Sequence, residues 1–324
     1  MSTPLVSVVI AAWNAAAYLP QTLATAVGQT WPNLEVILVD DGSTDDTASV
    51  IVPFLPRIRY ERRSHKGLAA ARNEGIRLAR GDYIALLDAD DLWHPEKISI
   101  QIAIAERHAQ SGLIACDGEE FCEGQVLRES LLGGQVAAAA RASPTGEVTG
   151  DFQRQSIEGV LIACPAQVLL PRRVLERIGP FIDSGVQDYD YYLRVARHYP
   201  ITFHREVLAW WRFRPDSMSG PRAGRQLKWG LDLLPVLRTH RQRCRSVDRD
   251  VLERRIRKLV RSLGYQLMTR RREARRLRAS SLLVKLLLEH PWPPTPLAYL
   301  VGLWSPGLIY RIGTRVARGR WTPS

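Results

Sequence analysis

The chain opens on an apolar run, Leu5–Ala11 (LVSVVIA), and runs of the same kind return at Leu34–Val39 (LEVILV) and Tyr83–Leu87 (YIALL). Each is short, aliphatic and bounded by turn residues, the pattern of a strand buried on both faces of a sheet. Between them the apolar positions change to helical spacing: Tyr18, Leu19, Leu23 and Val27 in one segment, Leu68, Ala71, Ile76 and Ala79 in the next. A short third strand is expected at Ile58–Glu61, and a helix at Pro95–Gln110 with Ile98, Ile102 and Ala105 on its inner side. Strands alternating with helices at this rhythm predict βαβ units and a mainly parallel, Rossmann-like sheet flanked by helices, an α/β fold.

The strand ends carry the candidate chemistry. Leu34–Val39 runs into Asp40 and Asp41, and Tyr83–Leu87 runs into Asp88, Ala89, Asp90 and Asp91. Three mutually repelling carboxylates at one strand tip call for a positive partner. Hard oxygen ligands at this density suit Mg²⁺ or Mn²⁺, and those ions suit a diphosphate. The plainer alternative is an acidic turn in which Asp91 caps the helix after Pro95. Ligands of parallel sheets sit outside the carboxyl ends of the strands, so one pocket can hold both acidic tips. Ser43 or Thr44 is placed to cap a following helix.

After Cys116 the pattern loosens. Ser130–Gly150, rich in Ala and Gly, is expected to be a loop shaping the acceptor side. Val160–Pro165 and Ala166–Leu170 look strand-like, and Arg172–Ile178 follows as a short helix. A further helix is expected at Tyr189–His198, for which Asp188 is a candidate cap.

The segments VSVVIAAWNAAAYL, EVILVDDGSTDDT, GLAAARNEGI and GDYIALLDADD, in that order, resemble family 2 glycosyltransferases of the GT-A fold, over about residues 5–215. The resemblance implies roles for matching positions. Ala11 and Trp13 flank the nucleobase, with Trp13 as a stacking face. Asp41, with Asp40, accepts a hydrogen bond from base or ribose. Arg72 and Asn73 shape the diphosphate side. Asp90 meets the ribose and Asp91 the divalent ion, Mg²⁺ or Mn²⁺, with Asp88 completing the metal set. Relatives usually carry Glu-Asp where this chain has Gln187 and Asp188, which puts Asp188 at the position of the base. Inversion requires a carboxylate that deprotonates an acceptor hydroxyl. In VLAWWRFRPDSMS, Trp211 and Arg212 fit the family pattern, while Arg214 replaces a usual His. A guanidinium pairs with phosphate and does not ligate a cation, so Arg212 and Arg214 are read as donor-binding.

The implied activity is metal-assisted, inverting transfer from a UDP- or dTDP-sugar to a hydroxyl of a polysaccharide, glycolipid or other glycan. Two alternatives stay open. One is a transferase of the same fold acting on a polyprenyl-phosphate acceptor; the other is a binding or scaffold protein that retains the fold without turnover.

Charge divides the chain. The net of +12 comes from residues 222–324, which hold 24 Lys/Arg against 6 Asp/Glu, whereas residues 1–221 hold 21 against 27. A catalytic domain over 1–221 and a basic, mainly helical region over 222–324 are therefore expected. Leu227, Leu231, Leu234 and Leu237, then Val251, Leu252, Ile256, Leu259 and Leu263, keep helical spacing, with arginines filling the other faces. Leu297–Val316 sets Trp, Tyr and Leu beside Arg, the composition of a helix lying on an anionic membrane surface. A helical bundle with a solvated basic face explains the same residues. Arginine clusters also supply the electrostatics of nucleic-acid binding, but no nucleic-acid motif accompanies them. No signal-peptide pattern opens the chain and no window holds 18 uninterrupted apolar residues. Cys116, Cys122, Cys164 and Cys244 lack paired metal-ligand spacing, and their scatter fits a reducing compartment. The location expected is cytoplasmic, peripheral to the inner membrane face.

Overall fold

The computed structural model describes residues 3–215 and 225–268. The chain packs as two compact units, Met1–Arg222 and Ala223–Ser324.

The first unit is built outward from β1 (Val6–Ala12), which is paired in parallel with β2 (Leu34–Asp40) on one side and β4 (Tyr83–Asp88) on the other. Alternate residues of these strands enter opposite cores. Val9, Ile37, Val39, Ile84 and Leu86 belong to one cluster; Val8, Ile10, Leu38, Ala85 and Leu87 belong to the other. A strand with no polar face needs cover on both sides. On the first side that cover includes α3 (Leu68–Leu78) through Ala69, Ala71 and Leu78; on the second it includes α1 (Leu19–Val27) and α4 (Lys97–Arg107) through Leu19, Leu23, Ile98 and Ile102. Each fully buried aliphatic side chain contributes about 1.5–3 kcal/mol, so these strands anchor the unit. Gly75 of α3 lies where an added Cβ would come 2.3 Å from Val9 Cγ1, which is why the helix can sit so close to the sheet.

The remaining elements are α2 (Thr47–Val50), β3 (Arg59–Arg62), β5 (Leu92–Trp93), β6 (Leu113–Cys122), β7 (Gln125–Arg128), α5 (Gly134–Ala142), β8 (Glu147–Gly150), α6 (Gln153–Glu158), β9 (Val168–Pro171), α7 (Arg172–Ile178), α8 (Gln187–His198) and β10 (Ile201–Arg212). The sheet runs β3-β2-β1-β4-β9-β6-β10-β5, with β7 on β6 and β8 on β10. The longest pairings, β1 with β2 and with β4, and β6 with β10, are parallel; β9 is antiparallel to β4 and β6, and β5 and β8 are antiparallel to β10. The α/β architecture and mainly parallel sheet expected from the sequence are present.

Several local expectations change. Ser130–Gly150 is not a plain loop: it contains α5 and β8. Its buried positions, Val136, Ala137 and Ala140, are small enough that the helical period is faint in the sequence. Val160–Pro165 forms no strand. Gln167 Oε1 instead accepts the backbone N–H groups of Ala163 and Cys164 at 2.8 and 3.2 Å, folding that segment over a side chain. Neither Ser43 nor Thr44 caps a helix; Ser43 Oγ accepts the Asn14 N–H, and Asn14 Oδ1 accepts the Thr44 N–H.

In the second unit, α9 (Arg225–Arg243) packs against α10 (Arg249–Met268). Leu233, Leu234 and Leu237 are buried on α9, as are Val251, Leu252, Ile256, Val260 and Leu263 on α10. An added Cβ at Gly230 would meet Leu263 at 2.8 Å. Arg254, Arg257, Lys258 and Arg261 stay exposed, one basic face at i, i+3, i+4 and i+7. No helix among the described residues is long and apolar enough to cross a membrane. The expectation for Leu297–Val316 lies outside the described residues.

Candidate active site

Register decides what meets at the sheet's carboxyl edge. Ala12 of β1 faces Asp40 of β2, and Ala11 faces Asp88 of β4, so the two acidic tips flank the end of β1. The chain then turns through Trp13 and Asn14, and Asn14 takes a positive φ of 51°. The Asn14, Ala15 and Ala16 N–H groups donate to Ser43, Thr47 and Asp45 side chains, which zips the loop after β1 to the loop after β2.

Asp40 and Asp41 divide their tasks. Asp40 is fully buried, with Oδ1 accepting the Ser43 N–H at 2.8 Å and Oδ2 the Tyr60 hydroxyl at 2.8 Å. Both oxygens of Asp40, expected to accept from the donor, are engaged in shaping this turn. Asp41 accepts the Lys66 and Gly67 N–H groups at 2.9 and 2.8 Å, and its Oδ2 lies 2.8 Å from His65 Nδ1. Gly67 has a φ of +93°, a conformation that suits glycine, and there the chain turns into α3. The His65 ring stacks on Trp13, with centroids 4.7 Å apart, and Trp13 remains 55% exposed. Trp13, His65 and Asp41 thus form an aromatic and acidic corner beside the β1 tip. His65 has no motif to mark it; its role comes from the turn that Asp41 holds.

Arg72 is the centre of the next group. Buried on α3, it donates from Nη2 to Asp88 Oδ1 at 2.9 Å and from Nη1 to Asp188 Oδ1, with its guanidinium 5.1 Å from the Phe181 ring centroid. Burial alone would lower its pKa, but Asp188 and Asp88 outweigh that and raise it. Asp88 and Asp188 keep 29% and 31% of their side-chain surface. Burial raises the pKa of Asp188, and the charge of Arg72 opposes that rise. Asn73, the next residue on α3, exchanges two hydrogen bonds of 2.8 Å with the Phe181 backbone, fixing the turn that leads to α8. Arg72 and Asn73, expected on the diphosphate side, join α3 to the Asp88 loop and the α8 region. Asp188 lies in the first turn of α8 with its carboxylate on Arg72, while the cap position is Val186. The simple capping alternative is therefore not realised.

The rest of the acidic loop is closed by β10. Asp91 is fully buried and its Oδ1 accepts the Arg212 N–H at 2.9 Å. Its Oδ2 has no hydrogen-bond partner among the described residues. Burial, then the charges of Asp90 and Asp88, push the Asp91 pKa well above the usual carboxylate range. Asp91 neither caps α4 nor presents a ligand to solvent; it ties β10 to the β4–β5 turn. The expectation that Asp91 meets the divalent ion therefore falls on a carboxylate whose Oδ1 is engaged and whose Oδ2 is buried. Arg212, expected to bind the donor, donates from Nε to the Asp90 carbonyl and from Nη2 to Gln21. Asp90 stays partly exposed, and its Oδ2 lies 3.0 Å from Arg214 Nε. Burial and the neighbouring Asp88 push its pKa up to about 6. The Tyr18 ring lies under both arginines, 5.2 Å from Arg212 and 4.9 Å from Arg214. Among the described residues, no group of three or more His, Cys, Asp or Glu side chains is arranged to hold a metal ion.

A buried polar pair sits beneath this edge. Lys97 is fully enclosed, with Nζ 2.6 Å from Gln101 Oε1 and 4.2 Å from the Trp93 ring centroid. Burial pulls its pKa down to about 8. Nothing in a helix-like sequence pattern distinguishes this lysine from its solvated neighbours.

Comparison with known proteins follows the same lines. The "Glycosyl transferase family 2" model matches residues 7–178. An uncharacterized glycosyltransferase of Rickettsia felis is 29% identical over 226 residues, covering 67% of this chain and 35% of that protein. The chain thus spans about a third of that relative's length. The Escherichia coli UDP-Glc:alpha-D-GlcNAc-diphosphoundecaprenol beta-1,3-glucosyltransferase WfaP is 44% identical over 104 residues, 32% of this chain and 41% of its own. In fold, Staphylococcus aureus TarS 1-349 in complex with UDP superposes with a TM-score of 0.69 at 13% identity, covering 98% of this chain and 93% of that one. The mannosyltransferase PcManGT of Pyrobaculum calidifontis, in complex with GDP-Man and Mn²⁺, gives 0.58 at 17% identity, over 94% and 86%. The paired acidic strand tips, the sheet that brings them together and the family match over more than half of the chain lead to one conclusion: this protein belongs to glycosyl transferase family 2.

Proposed function

We propose that the chain is an inverting glycosyltransferase that takes a sugar from a nucleotide-diphosphate donor, a UDP- or dTDP-sugar, to a hydroxyl of a glycan or lipid-linked glycan. The observation that supports this best is the buried guanidinium of Arg72, which joins Asp88 of the acidic loop to Asp188, 100 positions further along the chain. One arginine can span two carboxylates only if the fold brings both within reach of a single guanidinium. In this reading Trp13 stacks on the nucleobase and Asp41 accepts a hydrogen bond from it. Asp188 takes the proton of the attacking hydroxyl, aided by burial that makes it a stronger base than an ordinary aspartate. Arg72 orients Asp188.

The acidic loop fits a divalent cation in the chemistry of its donors. Asp88 and Asp90 are hard oxygen groups, two residues apart and partly exposed, and Mg²⁺ or Mn²⁺ needs one or two carboxylates when phosphate and water complete its shell. Such an ion, when bound, stabilises charge that develops on the leaving diphosphate. Ala11, partly buried near the end of β1, is read as flanking the nucleobase. The basic face of α10 suits an anionic membrane surface, which accords with a lipid-linked acceptor such as the one in the name of the Escherichia coli relative. In this reading the enzyme works at the cytoplasmic face of a membrane.

The test uses the full chain with a panel of UDP-, dTDP- and GDP-sugars and Mn²⁺ or Mg²⁺, following melting temperature and release of nucleotide. One donor should raise the melting temperature and be turned over. Asp188→Asn should keep donor affinity and lose at least about a hundredfold in transfer. Full transfer by Asp188→Asn removes the base assignment, and donor binding without turnover under any condition favours the scaffold alternative. Flotation with anionic vesicles, compared between the wild type and Lys258→Glu/Arg261→Glu, tests the membrane role; equal flotation excludes the α10 face.

A further inference from the structure

Two of the three carboxylates on the Asp88–Asp91 loop already face a guanidinium, and the two pairings differ in kind. Arg72 is enclosed, held at once by Asp88, Asp188 and the Phe181 ring. Arg214 lies just past the end of β10 and pairs with Asp90 across 3.0 Å, the two side chains keeping 25% and 21% of their surface. Its guanidinium lies 4.9 Å from the centroid of the Tyr18 ring, a cation–π contact. Asp90 is also the more accessible of the two aspartates at the loop's far end, since Asp91 is enclosed against β10.

Arg214 and a divalent ion compete for the charge of Asp90 and for its Oδ2. Both are cations that want the same oxygens, and a guanidinium has no lone pair to offer an ion. It does have a planar fork that matches phosphate. We propose that Arg214 is a displaceable counter-ion: it neutralises Asp90 in the resting enzyme, yields Asp90 to the divalent ion that arrives with the donor, and then pairs with the donor's diphosphate. This rests on the reading of the Asp88–Asp91 loop as the cation and donor site. The resting protein then binds a free divalent ion weakly. Ion and nucleotide bind cooperatively, because each makes the other's place available.

The experiment measures free Mn²⁺ by its electron paramagnetic resonance signal and UDP by calorimetry, on the full chain. In Arg214→Ala, Mn²⁺ should bind about fivefold more tightly without nucleotide, and UDP should bind about fivefold more weakly in chelator, the scale of a partly exposed ion pair. The two constants move in opposite directions, which general damage to the site would not produce. Arg214→Lys keeps the charge, so it should leave Mn²⁺ binding weak while still losing UDP affinity with the fork. Mn²⁺ affinity that is unchanged or weakened in Arg214→Ala overturns the proposal. If that happens while the wild type still transfers sugar, the counter-ion role falls and the transferase reading stands. A wild type that binds no nucleotide in the presence of Mn²⁺ removes the reading of the loop itself.

Discussion

Arg72→Met, combined with Asp188→Asn in a double-mutant cycle, tests the join between the acidic loop and the proposed base. Methionine preserves contact with Phe181 and removes the charge. Stripping one partner from a buried ion pair costs about 3–5 kcal/mol when the remaining charge stays dry. Asp88 and Asp188 each keep nearly a third of their side-chain surface, so water can reach them once the guanidinium is gone. The expected loss for Arg72→Met is therefore about 2 kcal/mol. Asp188→Asn leaves Arg72 paired with Asp88 and retains a neutral acceptor, so about 1 kcal/mol is expected there. Because the two single changes remove the same contact, the double variant should cost about 1 kcal/mol less than their sum. Urea melts followed by tryptophan fluorescence supply the stabilities, compared at a common slope. A coupling below about 0.3 kcal/mol, the scatter of independent sites, would show that Arg72 does not hold Asp188 in solution.

Other outcomes follow from the same geometry. Asp91→Asn should leave Mn²⁺ affinity within about threefold because its carboxyl is enclosed, whereas Asp90→Asn should weaken it by tenfold or more, on the scale of a lost charged ligand; the reverse order would restore Asp91 as the ligand. Lys97 should make stability pH-dependent: its folded pKa of about 8 lies below the ordinary 10.5, so the charged form is penalised at low pH and the penalty fades as pH rises between those values. Relative to Lys97→Met, the wild type should thus gain about 3 kcal/mol between pH 7.5 and 10.5, and a difference that stays flat in pH would contradict burial as the cause. Gly75→Ala should destabilise by about 1–3 kcal/mol by forcing a methyl onto Val9, and Val9→Ala in the same chain should recover part of that loss; an additive double variant would refute the overpacking.

Much of the scaffold was legible because it depends on local repetition. The runs at β1, β2 and β4 are apolar on both faces, and few arrangements bury such strands except the middle of a sheet covered by helices. Ser130–Gly150 reads as a loop because alanine buries little area and leaves a weak period, although Val136 and Ala137 do face a core and Ala140 is buried. Asp188 could be found from its motif. Its partner could not, because Arg72 and Asp188 meet through the packing of α3 near the start of α8.

The chain's own order determined the α/β class, the acidic residues at two strand tips and the basic character of the C-terminal region, since each is a property of neighbours in sequence. Tertiary structure decided which of those acids remain available. Asp40, Asp41, Asp88, Asp90 and Asp91 look alike as letters, yet Asp40 is consumed by Ser43 and Tyr60, Asp91 is sealed by β10, and Asp88 and Asp90 stay partly open beneath arginines. The physical reason is that a carboxylate's chemistry is set by its burial and by the donors around it, and apart from Ser43 those donors arrive here from 16 to more than 120 residues away.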